Sequence, residues 1–166
     1  MSANSKEYRR QESEAKKKKK RKSEIQNLKS KIQSPILISA CLLGINSRYN
    51  GTNALNRDII KQYSNRCLLP VCPEQLGGLP TPRPRAEIHM EQVIDANGRD
   101  VTGEFKKGAD EVLKIARLLN VRKAVLKEKS PSCGVRLIYN NRRLVGGMGM
   151  TARLLEEHGV VIEGAD

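Results

Sequence analysis

From Pro35 onward, short wholly apolar runs alternate with segments in which apolar residues recur every three or four positions. That is the pattern of strands covered on both faces alternating with amphipathic helices. Ile36-Leu37-Ile38-Ser39-Ala40 predicts a buried strand running into Cys41, and Leu55, Ile59, Ile60 and Tyr63 share one helical face. Cys67 to Cys72 predicts a second strand, in which Pro70 has no N–H for the ladder and calls for an edge or irregular position. Pro73 to Pro84, rich in proline and glycine, predicts a loop, and the alternation of Ile88, Met90, Val93 and Asp95 an exposed strand. Phe105, Ala109, Val112, Leu113, Ala116 and Leu119 form the clearest helical stripe in the chain. Lys123 to Lys127 reads as a strand, Leu137 to Val145 as a hairpin turning over Asn140-Asn141, and Thr151 as the cap of a helix reaching His158 and ended by Gly159. Val160-Val161-Ile162 supplies the last strand, and no internal repeat is present.

This order predicts one α/β domain over residues 35–166, with a mainly parallel sheet flanked by helices and joined by right-handed crossovers. Residues 1–34 have a different texture: Lys16 to Lys22 are seven consecutive basic residues and apolar positions are few. Such a segment buries too little surface to offset the entropy of ordering, so it is expected to be a basic tail, disordered or partly helical. Ile25, Leu28 and Ile32, at helical spacing, are its one candidate docking face.

The tail also carries most of the charge. The chain has 31 Lys+Arg and 18 Asp+Glu, net +13, and the first 34 residues supply +8 of it. An RNA or other anionic partner is therefore expected to contact the tail, while the body is an ordinary, mildly basic domain. Aromatics are 3% of the chain and Trp is absent, which excludes a surface of interleaved stacking rings. No run approaches the roughly 20 apolar residues of a membrane span, and the polar N-terminus lacks a signal-peptide core. The expected location is the cytoplasm, where thiols stay reduced, so Cys41, Cys67, Cys72 and Cys133 are candidates for ligands, nucleophiles or buried apolar residues rather than disulfides.

In open α/β sheets, ligands bind beyond the carboxyl ends of the strands. Cys41, Cys72 and Cys133 are all predicted there, each beside glycine or proline turns, in Cys41-Leu42-Leu43-Gly44, Cys72-Pro73-Glu74 and Ser132-Cys133-Gly134. Cys67 begins its strand and is expected at the opposite end of the sheet as a small buried hydrophobe. Three distant thiols meeting at one edge suggest a metal site. Structural zinc needs a closed fourth ligand, for which His89 and His158 are the candidates, although a position at a helix C-terminus already explains His158. Three thiolates also suit an iron-sulfur cluster with one open iron, and residue chemistry alone leaves zinc and cluster both standing.

Five longer motifs go further. Ser39-Ala40-Cys41-Leu42-Leu43-Gly44, Arg48-Tyr49-Asn50-Gly51, Pro70-Val71-Cys72-Pro73-Glu74-Gln75-Leu76-Gly77-Gly78-Leu79-Pro80-Thr81-Pro82-Arg83, Lys129-Ser130-Pro131-Ser132-Cys133-Gly134 and Gly147-Met148-Gly149-Met150-Thr151-Ala152 resemble the YbbK-like family of thiouracil desulfidases (TudS) over about residues 35–163. The resemblance implies a single Rossmann-like domain holding a [4Fe-4S] cluster on Cys41, Cys72 and Cys133, with Glu74 and Ser130 as the polar catalytic pair. It further implies replacement of the sulfur of a thiolated pyrimidine, thiouracil or a thiouridine nucleotide, by oxygen without net electron transfer. Arg48, Tyr49, Ser132 and Gly149 are the expected substrate-binding positions, with Ser132 as the reserve for Ser130. The chain departs from the family pattern at Ser47, where many members carry cysteine, and in a short segment between Gly134 and Gly146.

Three plainer readings stand beside these: Glu74 as a loop carboxylate paired with Arg83 or Arg85, Ser130 as a turn former before Pro131, and Gly146 to Gly149 as either an anion cradle or a tight turn before a helix. The rival for the whole protein is a non-enzymatic nucleic-acid-binding module that uses its basic N-terminal arm.

Overall fold

The computed structural model describes residues 14, 16–23 and 33–166. The chain divides into Met1–Gln33 and Ser34–Asp166. In the first unit, residues 16–23 are helical and exposed, while Ile25, Leu28 and Ile32 lie outside the described residues.

The second unit is built on a four-stranded parallel sheet. Its strands β1 (Ile36–Ser39), β2 (Leu68–Val71), β5 (Lys123–Lys127) and β8 (Val161–Ala165) lie in the order β2-β1-β5-β8. Two antiparallel hairpins, β3 (Ala86–His89) with β4 (Gln92–Asp95) and β6 (Leu137–Asn140) with β7 (Arg143–Gly146), are inserted into it. Four helices complete the unit: α1 (Arg57–Gln62), α2 (Pro73–Leu76), α3 (Thr102–Leu118) and α4 (Met150–Glu157). This is the expected α/β class with a mainly parallel sheet, and Pro70 does occupy an edge strand, opposite Ile38. No helix among the described residues is long and apolar enough to cross a membrane.

The central strand shows why its run is wholly apolar. Successive side chains point to opposite faces: Leu37 joins the core beneath α3 and α4 with Val112, Leu113, Ala116, Ala152 and Leu155, whereas Ile36 and Ile38 join Ile59 and Tyr63 of the α1 side. A third cluster, Ile88, Val93, Val101, Phe105 and Ile138, seats both hairpins on the start of α3.

Four local expectations are corrected. The predicted exposed strand at 88–95 is a hairpin, because Met90 adopts a left-handed φ of 54° and turns the chain back. The second hairpin turns one residue later than expected, with left-handed φ at Asn141 and Arg142. Thr151 is not a cap: the helix begins at Met150, and the fully buried Thr151 hydroxyl instead meets Ser132 Oγ at 2.9 Å. Cys67 does sit at the far end of β2 from Cys72, but it is exposed rather than buried, its carbonyl receiving the Ile36 N–H.

A candidate cluster site at three strand ends

Because β2, β1 and β5 are parallel neighbours, their carboxyl ends share one edge of the sheet. Cys72 follows β2, Cys41 lies in a 3-10 turn (Ala40–Leu43) after β1, and Cys133 ends a short loop after β5. All three are free thiols and line one cavity of about 240 Å³.

Local backbone chemistry places each of them. The 3-10 turn is closed by Gly44, whose φ of +86° lets its N–H reach the carbonyls of Ala40 and Cys41. Cys72 precedes α2, which starts with Pro73 at its first position, where the missing N–H costs nothing. The Cys133 loop is tied from three directions. Ser130 Oγ accepts the N–H groups of Ser132 and Cys133, each at 3.1 Å. The first N–H groups of α4, at Met150, Thr151 and Ala152, donate to the carbonyls of Pro131 and Ser132. Glu128, 4% exposed, accepts the N–H groups of Val135, Arg136 and Leu137 at 3.1 to 3.3 Å as well as Arg136 Nε. Burial pushes the Glu128 carboxyl upward, and these donors outweigh it, leaving the group below its ordinary value.

The thiols feel burial and one another. Burial pushes Cys41 up, its neighbour Cys72 adds to this, and Lys127 and Arg48 oppose it. Cys72 is raised by burial, with backbone donation from Gln75 and the charge of Arg83 acting against it. Cys133, also buried, is raised strongly, again chiefly by burial and then by the other two thiols. Cys72 thus raises both of the other thiols, in keeping with the single cavity that the three line.

Around them, Glu74, Ser130, Arg48 and Tyr49 also line the cavity, as do Arg85 and Tyr139, with the Arg85 guanidinium 4.2 Å over the Tyr139 ring. Glu74 Oε2 accepts Arg83 Nε at 2.6 Å, so the plainer pairing exists and lies in the cavity wall. Ser130 is likewise both a turn former and a cavity residue. Two expected substrate-binding positions are not brought in. Ser132 is fully buried behind the loop on Thr151, and Gly149 packs so tightly on it that a Cβ would lie 2.4 Å from the Ser132 carbonyl carbon. The anion cradle at Gly146 to Gly149 is also excluded, because the helix N–H groups it would offer are taken by Pro131 and Ser132.

Sequence reasoning missed Glu128, whose burial follows only from the sheet, and underused Arg83. The proline-flanked Arg83 offered one signal: a cation held within a rigid segment.

Among the described residues, no group of three or more His, Cys, Asp and Glu converges closely enough to hold a single metal ion. His89 lies on β3 away from the cavity, and His158 at the end of α4 bonds the Leu154 carbonyl at 2.8 Å. Three soft donors spread around one space, with no imidazole among them, fit a polynuclear cluster whose ligands attach to different irons better than a closed zinc site.

The unit from Ser34 to Asp166 is similar to known proteins over nearly its whole length. Residues 36–165 match the family model described as 2-thiouracil desulfurase. The uncharacterized protein YbbK of Bacillus subtilis (strain 168) is 39% identical over 137 residues, covering 75% of this chain and 91% of that protein. A solved structure of the [4Fe-4S]-dependent thiouracil desulfidase TudS superposes with a TM-score of 0.73 at 42% identity, covering 81% of this chain and 92% of that one.

Proposed function

The chain belongs to the 2-thiouracil desulfurase family, and from that premise we propose that it is a [4Fe-4S]-dependent, non-redox desulfidase of thiolated pyrimidines, acting on thiouracil or a thiouridine nucleotide. One observation carries the assignment to residues: three free thiols at three adjacent parallel strand ends line one cavity together with a carboxylate and a hydroxyl. The reaction balances without a redox partner, since the C=S group and water become a C=O group and hydrogen sulfide.

Cys41, Cys72 and Cys133 would hold the cluster, which when bound would supply Lewis-acid chemistry toward the thiocarbonyl sulfur. The thiols must shed their protons to serve, and Lys127, Arg48 and Arg83 are the cations that favour their anionic form. Glu74 takes a proton from the attacking water as general base. Ser130 has both acceptor positions filled by Ser132 and Cys133 N–H groups, so its hydroxyl proton is left to donate to the substrate. Arg48 and Tyr49 form the substrate wall on the β1 side.

Residues 35–166 are the catalytic domain and residues 1–34 an appended basic tail, acting in the cytoplasm. The exposed helical run at 16–23, which contains Lys16 to Lys22, favours a second role for the tail as an RNA contact that delivers the enzyme to its substrate. Protein purified without oxygen is expected to be brown, with iron and sulfide at about four per chain, and to release hydrogen sulfide from a thiopyrimidine. A colourless protein holding one zinc after anaerobic reconstitution overturns the assignment.

A further inference from the structure

We propose that Arg83 is the positioning residue of this site: one guanidinium fixes the Glu74 carboxylate and donates toward the Cys72 sulfur at the same time. The inference rests on the desulfidase reading above and adds a group to which the family motifs assign no role. The Arg83 side chain is 3% exposed. Its Nε donates to Glu74 Oε2 at 2.6 Å, and its Nη1 to Pro80 O at 3.1 Å and Thr81 Oγ1 at 2.9 Å. Its Nη2 reaches Ser47 O at 3.0 Å and Cys72 Sγ at 3.9 Å.

A buried guanidinium is costly unless its donors are used, and here they are spent on three separate segments of the site. Nε and Nη1 join α2 to the Pro80–Thr81 turn, and Nη2 ties both to the loop after β1 at Ser47. The planar fork has fixed donor directions, so engaging Oε2 sets the rotation of the Glu74 carboxylate and leaves Oε1 as its acceptor for a proton.

At the sulfur, the thiol form of Cys72 donates to Ser47 O at 3.6 Å. As a deprotonated ligand it becomes an acceptor, with Arg83 Nη2 already beside it. Hydrogen bonds to ligand sulfurs raise a cluster's reduction potential and draw electron density from its irons.

The other cations lining the cavity are committed elsewhere: Lys127 and Lys129 pair with Asp166, Arg85 pairs with Glu87 and stacks on Tyr139, and Arg48 lies toward Thr52 and Asn53. Among the described residues, Arg83 is the cation with hydrogen bonds to both Glu74 and a cavity cysteine.

The test uses full-length protein reconstituted anaerobically, with Arg83→Gln, Arg83→Lys, Glu74→Gln and the Arg83→Gln/Glu74→Gln double variant. Iron and sulfide content, reduction potential, kcat and KM for 2-thiouracil or 4-thiouracil, whichever the wild type turns over faster, are measured on each. Arg83→Gln is expected to keep its cluster, lose about 10²-fold in kcat with KM little changed, and show a more negative potential. Glu74→Gln is expected to match the kcat loss without the negative shift. The double variant is expected to fall no further than the worse single one, because the pair acts as a unit.

Arg83→Lys keeps the charge but not the fork, so its potential is expected to recover more than its kcat. Wild-type kcat and potential in Arg83→Gln, while Glu74→Gln is inactive, overturn the proposal. Near-normal turnover in Glu74→Gln instead overturns the general-base assignment and leaves the potential shift as a separate readout. Should Arg83→Gln fail to fold, Arg83→Lys decides, and wild-type kcat there refutes the role of the fork.

Discussion

Gly108→Ala is expected to damage stability and activity together, although it improves the local helix propensity of α3. A Cβ at Gly108 would lie 2.0 Å from the Pro73 carbonyl oxygen and 2.8 Å from its carbon, and one at Gly77 would lie 2.0 Å from Glu104 O. Helix α3 and the short α2 therefore touch backbone to backbone, and the added methyl falls short of normal van der Waals separation by roughly 1 Å or more. Relieving it means moving Pro73, which stands between Cys72 and Glu74. Overpacking of this kind costs about 1–3 kcal/mol, against which alanine regains up to about 1 kcal/mol of helix propensity.

The net loss is expected to be about 1–2 kcal/mol, or about 3–8 °C in Tm for a domain of this size. A displacement near 1 Å at the reacting groups adds a kcat loss of about 10²-fold. The control is Gly103→Ala in the exposed first turn of the same helix, where nothing lies within 4 Å of the added methyl; it is expected to be neutral or stabilising. Thermal melting by circular dichroism and sulfide release from the reconstituted enzyme read the two effects. A Gly108→Ala protein that melts at or above wild type and turns over normally refutes the close-approach argument.

Replacing Cys41, Cys72 or Cys133 by Ala is expected to remove or destabilise the cluster, and Cys67→Ala to leave it intact, as read by iron and sulfide analysis and visible absorbance. Ser130→Ala is expected to keep the colour and lose about 10²- to 10⁴-fold in rate, whereas Ser132→Ala, which orphans the buried Thr151 hydroxyl, should lower stability by about 1–3 kcal/mol and largely spare turnover. The Glu128 carboxyl sits below its ordinary value, so its contribution to stability is present above the unfolded pKa and fades as pH falls through the lowered folded one. Denaturant melts of wild type and Glu128→Gln from neutral pH into the acid range are therefore expected to differ at pH 7 and converge on acidification; a gap that widens in acid contradicts the reading.

The apolar runs and the helical stripe from Phe105 onward determined the α/β class and the parallel sheet, because side-chain period and burial are written directly in the order of residues. Three cysteines just beyond predicted strands likewise placed the site at one edge, since parallel strands all end on the same side. The sequence could not say which of two serines around Pro131 enters the cavity; that depended on α4, whose first N–H groups hold the loop so that Ser132 turns inward to Thr151. Nor could it show that Cys67 is exposed, that Met90 reverses a strand, or that Gly108 is a contact and not merely a weak helix former. Gly108 is set by what a distant segment places against it, Cys67 by the lack of any such cover, and Met90, 94% exposed, by its own left-handed φ. Glu128 and Arg83, like Gly108, depend on distant segments: sequence reads Glu128 as solvated and Arg83 only as one of two partners for Glu74, and the packed fold, by removing water and supplying donors and acceptors from several segments, makes both part of the site.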